Sequence, residues 1–186
     1  SMPMDKLLDT IAADIRPEGV DSSSFKHQTV HIVGIGIRGN LPSHLMGVHW
    51  LYFPEEQFPF YRVTILSNFS PRMVPSKEYY SILAEISESK YRQVDPKKII
   101  DRTIAAYRKA HLISEGSQVA STWHMRKEYG YPVPYVERDR DVHTADPQLR
   151  ALGIFSRGRF GGWKYEVGNQ DHVCMQGVEA VDQMVL

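Results

Sequence analysis

Residues 34–39 read Gly-Ile-Gly-Ile-Arg-Gly, the spacing of a dinucleotide-binding loop. The surrounding residues decide against that reading. Val33, Ile35 and Ile37 alternate with Gly34 and Gly36 at period two, which is the period of a strand and not of a helix. A dinucleotide fingerprint needs a helix opening at its third glycine and an acidic residue about twenty positions on. Here Asn40, Leu41 and Pro42 follow Gly39, and proline interrupts a helix. Thr29 to Arg38 is therefore expected as a glycine-rich strand, and no other fingerprint of this kind occurs in the chain.

Further strands are expected at His49 to Phe53 and Tyr61 to Ser67, paired antiparallel across the Pro54–Pro59 turn. Tyr79 to Ser87, Val119 to Trp123 and the short Ile154–Phe155 are also expected as strands. Met4, Leu7, Leu8, Ile11 and Ile15 recur at helical spacing and predict a helix over residues 4–15. Pro17, Gly19 and the serines at 22–24 read as a loop. Asp95 followed by Pro96 reads as an N-cap with proline at the first helical position, opening a helix to about His111. Tyr129 to Pro134 is extended or turning, because the residue before each proline avoids the helical region. A last helix is expected from Gln170, with Cys174, Val178, Val181 and Val185 on its buried stripe. Strands come without βαβ alternation, so the fold class is α+β: an antiparallel sheet with flanking helices and a C-terminal helix. The expected division is an N-terminal helix and loop over 1–24, with Ser1 a tag remnant. A sheet domain over 25–150 and a C-terminal segment over 151–186 complete it.

At 186 residues the chain can bury a real core, and 42% hydrophobic with 24% charged residues is ordinary for a globular protein. Formal net charge is zero, which gives no bulk electrostatic attraction to nucleic acid or to an anionic membrane. No apolar run approaches a membrane span and no signal peptide is visible. A single cysteine, Cys174, rules out an intrachain disulfide framework and fits a reducing compartment, so the expected location is cytoplasmic. The eight histidines show no metal-ligand spacing, and no metal is expected. No Ser-His-Asp or nucleophile-elbow pattern occurs.

The run SRGRFGGWKYEVGNQDH, Ser156 to His172, carries the densest chemistry. Gly158 and Gly161 allow close approach of the backbone to a ligand. Arg159 offers a rigid fork of donors suited to phosphate. Trp163 and Tyr165 read as an exposed aromatic pair. Gly168, Asn169, Gln170 and Asp171 precede the last helix, whose N-terminal N–H groups favour an anionic or electron-rich ligand. A glycine-rich hairpin leading into a capped helix explains the same residues.

This run resembles the C-terminal flavin-contacting segment of eukaryotic, fungal-type UDP-galactopyranose mutases. WLYFPEEQFPFYRVTILSNFSP (Trp50 to Pro71), HIVGIGIRG (His31 to Gly39) and YGYPVP (Tyr129 to Pro134) resemble the same family in the same order, over roughly residues 25 to 186. The resemblance implies the substrate- and FAD-contacting part of an amine-oxidase-like flavoprotein, without the N-terminal Rossmann half. It also implies isomerase chemistry, interconverting UDP-galactopyranose and UDP-galactofuranose, with reduced FAD as nucleophile and UDP as leaving group. Arg62 and Arg159 become the residues that hold the departing diphosphate, with Trp50, Tyr52, Tyr131, Tyr165 and Asn169 as further substrate contacts. Gly158, Arg159, Asn169 and Gln170 become the FAD contacts. The expected partners are a UDP-sugar and a separate FAD-binding half. FAD itself is expected to bind this chain weakly or not at all. Two alternatives stand beside this: a standalone half repurposed for FAD-independent binding or rearrangement, and an amine-oxidase-type flavin oxidoreductase.

Overall fold

The computed structural model describes residues 2–185. Two compact units divide them: residues 29–128, and the described residues of 1–28 with 129–186. These boundaries differ from those expected at 24 and 150, because the chain returns after 128 to close a second core with its own N-terminus.

The sheet is built from β1 (His27–Arg38), β2 (Trp50–Tyr52), β3 (Arg62–Ile65), β4 (Tyr79–Glu88) and β5 (Gln118–Pro132), in the order β2-β3-β4-β1-β5; all of it lies in the first unit except residues 27–28 and 129–132, which count with the second. β2 with β3, β3 with β4 and β1 with β4 are antiparallel. The glycine-rich stretch is strand throughout, with Ile35 opposite Ile82 and Ile37 opposite Tyr80. Alternation does the rest. Val33, Ile35, Ile37, Val63, Ile65, Ile82, Ala84 and Ile86 share one face and are buried with Ile99, Ala106 and Tyr107 of α2 (Ile99–Lys109). Phe53, Phe58 and Phe60 extend this core edge to face, with Phe60 also 5.2 Å from the Tyr107 ring. The opposite face carries Tyr52, Arg62 and Glu85 in one row and Trp50, Thr64, Leu83 and Gly34 in the next.

The second unit holds α1 (Met4–Thr10), α3 (Arg138–Ala151) and α4 (Gln170–Val185). Met4, Leu8, Ile11, Phe25, Val142, Ala145, Leu149 and Trp163 form its core.

Several expectations are corrected. α1 stops at Thr10 instead of running to 15, because Ile11 turns extended and the Arg16 guanidinium takes its carbonyl; Ile15 is left exposed. Asp95 caps a separate turn, accepting from the Lys97 N–H, and α2 begins four residues later at Ile99. Ile154 and Phe155 form no strand; the Ile154 N–H closes back onto the Leu149 carbonyl. Of the two conformations allowed for Tyr129 to Pro134, the extended one is taken through Pro132, which ends β5. α3 was not expected at all: six charged residues and an internal Pro147 hide the inward stripe Val142, Ala145 and Leu149. Trp163 is not exposed but fully buried, in edge contact with Phe25 and Phe160. Cys174 is exposed and lies off the buried side of α4.

Candidate functional site

The expected site residues fall into one group in each unit. In the sheet unit, Trp50 and Tyr52 project from the short outer strand β2, both exposed. Their alternation puts both on the face opposite the core. Tyr52 lies directly across from Arg62, and Arg62 directly across from Glu85. Arg62 Nε donates to Glu85 Oε1 at 2.8 Å, and the Tyr61 hydroxyl donates to the other carboxylate oxygen at 2.7 Å. A buried carboxylate with both oxygens engaged therefore fixes the plane of the Arg62 guanidinium. Trp50 stands in edge contact with Phe69, ring centroids 5.4 Å apart. Glu85 was not anticipated. Its signal was its parity on β4, which puts it on the face opposite Ala84 and Ile86.

In the other unit, the Arg159 guanidinium carbon sits 4.8 Å from the centre of the Tyr131 ring, a cation–π contact. Arg159 also donates to the Gly168 carbonyl through Nε at 3.3 Å and Nη2 at 3.0 Å. Tyr165, Asn169 and Gln170 are exposed around the start of α4. Arg138 pairs with both Asp139 and Glu166 in this neighbourhood. Burial alone would push Arg138 down and Glu166 up. Bonds to Asp139 and Glu166 outweigh it at Arg138, and a backbone N–H bond together with that from Arg138 outweighs it at Glu166, holding Arg138 above and Glu166 below their ordinary values.

Two glycines are used differently from expectation. Gly158, at φ +87°, gives its N–H to Gln176 Oε1 at 2.8 Å, so that donor serves the loop. Gly161 is required because a Cβ there would collide with the Arg157 carbonyl group; the loop closes through Gly162 N–H to Gly158 O. Among the described residues no group of three or more His, Cys, Asp or Glu is placed to hold a metal ion. No described helix is long and apolar enough to cross a membrane.

No protein-family model matches the chain. Among solved structures, 98% of the chain superposes at TM-score 0.63 on a protein from Exiguobacterium sp. 255-15 assigned as a protoporphyrinogen oxidase, covering 40% of that chain. At 8% identity this speaks for the fold alone. The antiparallel sheet with its helices is thus the architecture of part of an amine-oxidase-like flavoprotein. Within that class the resemblance read from the motifs stands: the chain is a relative, in sequence and fold, of part of UDP-galactopyranose mutase. It is 40% identical to the reduced form of that enzyme and matches it at TM-score 0.90 over 100% of its own length. It spans 40% of the length of that chain.

Proposed function

We propose that this chain is the C-terminal, substrate- and flavin-contacting part of a UDP-galactopyranose mutase, an isomerase interconverting UDP-galactopyranose and UDP-galactofuranose. One observation carries the reading. Each arginine assigned to the diphosphate stands beside a tyrosine assigned to it, Arg62 across the ladder from Tyr52 and Arg159 over the ring of Tyr131. The β2–β3 hairpin joins the first pair, and the fold of the second unit joins the second, whose members lie at the end of β5 and in the loop before α4.

The residues present fit contact with the flavin end of FAD and not with its ADP end. Asn169 and Gln170 are exposed at the first turn of a sixteen-residue helix, where N–H groups and dipole favour an electron-rich ring edge. Arg159 stands beside them through the Gly168 carbonyl. Gly158 contributes shape only, its N–H being taken by Gln176. When bound, reduced FAD supplies the nucleophile. This chain's residues bind and orient. Arg62 and Arg159 hold the diphosphate and stabilise the charge that grows on it as UDP leaves. Tyr52, Tyr131 and Tyr165 fix its position, and Trp50 offers a ring face to the substrate. Glu85 holds the Arg62 fork in plane.

The test is steady-state turnover of UDP-galactofuranose in a protein that joins this chain to an FAD-binding part. Arg62→Ala and Arg159→Ala should each lower kcat by about 10²–10³, the range for one lost donor to developing charge. An unchanged kcat in both would overturn the reading.

A further inference from the structure

A cavity of about 390 Å³ opens among α3, the loop from Ser156 to Val167, and Gln176 of α4. Its charges do not balance. Arg150, Arg157, Lys164 and His143 line it against one carboxylate, Asp146. Asp146 is already shared: Oδ2 takes Arg150 Nη2 at 2.8 Å and Oδ1 takes Arg157 Nη1 at 2.9 Å. Lys164 has no ion pair or hydrogen bond among the described residues. Its charge reaches Asp139 and Glu166, but Arg138 already binds both. Three permanent cations against one anion leave a surplus of two. Part of the wall is bare backbone at Gly158, Gly161 and Gly162, where a ligand meets no side chain. Arg159 is not among the lining residues, so this cavity is separate from the arginine assigned to the UDP-sugar, and Gly158 is the one residue it shares with the flavin contacts.

We propose that this cavity is a second anion site, built for a diphosphate group. Two guanidiniums held in place by Asp146 and Gln183, Arg157 also by the Ser156 carbonyl, with the Lys164 ammonium beside them, match a compact dianion. Arginine meets phosphate oxygens in pairs and lysine as a point charge. The volume holds a diphosphate with its water and leaves room for a nucleoside at the mouth. The mutase reading is not needed for this site and does not imply it.

Amide NMR of the whole chain during titration with inorganic pyrophosphate tests it. Gly158, Gly161, Gly162 and Lys164 amides should shift and saturate. Lys164→Ala, at a partly exposed position that leaves the fold intact, should weaken binding about ten-fold, as for one charge-assisted hydrogen bond. Asp146→Asn should tighten it by removing the competing carboxylate, and raised salt should weaken it. Arg159→Ala should leave it in place. Shifts that never saturate, or an affinity unchanged in Lys164→Ala, would overturn the proposal. So would loss of the shifts in Arg159→Ala alone, which would move the anion to the UDP-sugar residues and leave that reading standing. A second titration with UDP identifies the source: equal affinity marks a diphosphate site, and tighter binding a nucleotide site.

Discussion

The sheet of residues 29–128 and the helix α4 solve the same problem in opposite ways. In the sheet, the apolar half of every central strand faces inward: Val33, Ile37, Val63, Ile65 and Ile82 are wholly buried. In α4 the apolar stripe faces outward. Met175, Val178, Val181 and Val185 are 47 to 78% exposed, and Ala180 is the one buried residue of the described helix. What fastens α4 is polar. Gln176 accepts from the Gly158 N–H and donates to the Val167 carbonyl, while Gln183 accepts from Arg150 and Arg157. Gln176, Ala180 and Gln183 recur at helical spacing on the inward side. The difference teaches that a periodic apolar pattern fixes that a helix has two faces, not which face this chain covers.

The largest expected effect tests the sheet half of that contrast. Ile82 lies opposite both Ile35 and Ile65 and is inaccessible to solvent. Ile82→Ala should cost about 2–5 kcal/mol, from lost transfer energy and the cavity left behind. Urea unfolding should show this as a drop in midpoint at unchanged slope. A loss as small as that of a surface substitution would mean that the sheet core is not what holds this unit together.

A second test separates core from network within the sheet unit. His31, fully buried, shares a hydrogen bond with His124 through Nδ1 at 2.9 Å and with Glu88 through Nε2 at 2.9 Å; Arg126 Nε donates to the same Glu88 oxygen at 2.7 Å. Burial, then the charge of His31, pushes His124 below its ordinary value. Burial pushes Glu88 up, but the bonds from Arg126 and His31 outweigh it and leave Glu88 lowered. The signs agree. A depressed histidine takes its proton later in the folded state, so stability is full above about 6.5 and falls as pH drops below it. A depressed carboxylate contributes fully above about 4.3, and that contribution is lost as pH falls through its folded value. The unfolding midpoint should therefore decline in two acid stages. His124→Gln should remove the first and leave the second. A midpoint flat from neutral pH down to the carboxylate range would show that the histidine pair adds nothing.

Legibility follows the same division. β1 and β4 could be read because period-two alternation and a buried face are one constraint. The existence and start of α4 could be read from Gly168, Asn169 and the periodic residues after them, but its orientation could not. That depends on Gly158, Val167, Arg150 and Arg157, which no local pattern links to Gln176 and Gln183. α3 was hidden because its charge and Pro147 outweigh three small inward residues in any window of sequence. Of the candidate site, Tyr52 and Arg62 were named through the family motif. Their adjacency is a matter of register, set by the Pro54–Pro59 turn. The parity of Glu85 on β4 gave its face, but its pairing with Arg62, twenty-three residues away, depends on the β3–β4 register and no local pattern gives it. Trp163 was misread because glycines on its N-terminal side suggest an open turn, whereas at φ +49° it turns inward onto Phe25 and Phe160.

The smallest expected effect is the sharpest test of the α4 half. If polar contacts hold the helix, trimming its apolar stripe should scarcely matter to this chain. Val178→Ala and Val181→Ala remove side chains that are about half exposed. Each should move stability by no more than about 0.5 kcal/mol, the range for surface substitutions, with Ala's better helix propensity offsetting lost contacts. Gln176→Ala provides the contrast on the inward side. It leaves the Gly158 N–H without its acceptor, and since Gly158 is buried the cost should be about 1–3 kcal/mol. Urea midpoints of the three variants, taken together, decide the matter. If the two valine variants lose as much as Gln176→Ala, the stripe is covered in solution and the polar fastening is secondary. If only Gln176→Ala falls, α4 is held by its amides, and its apolar face adds nothing to the stability of this chain.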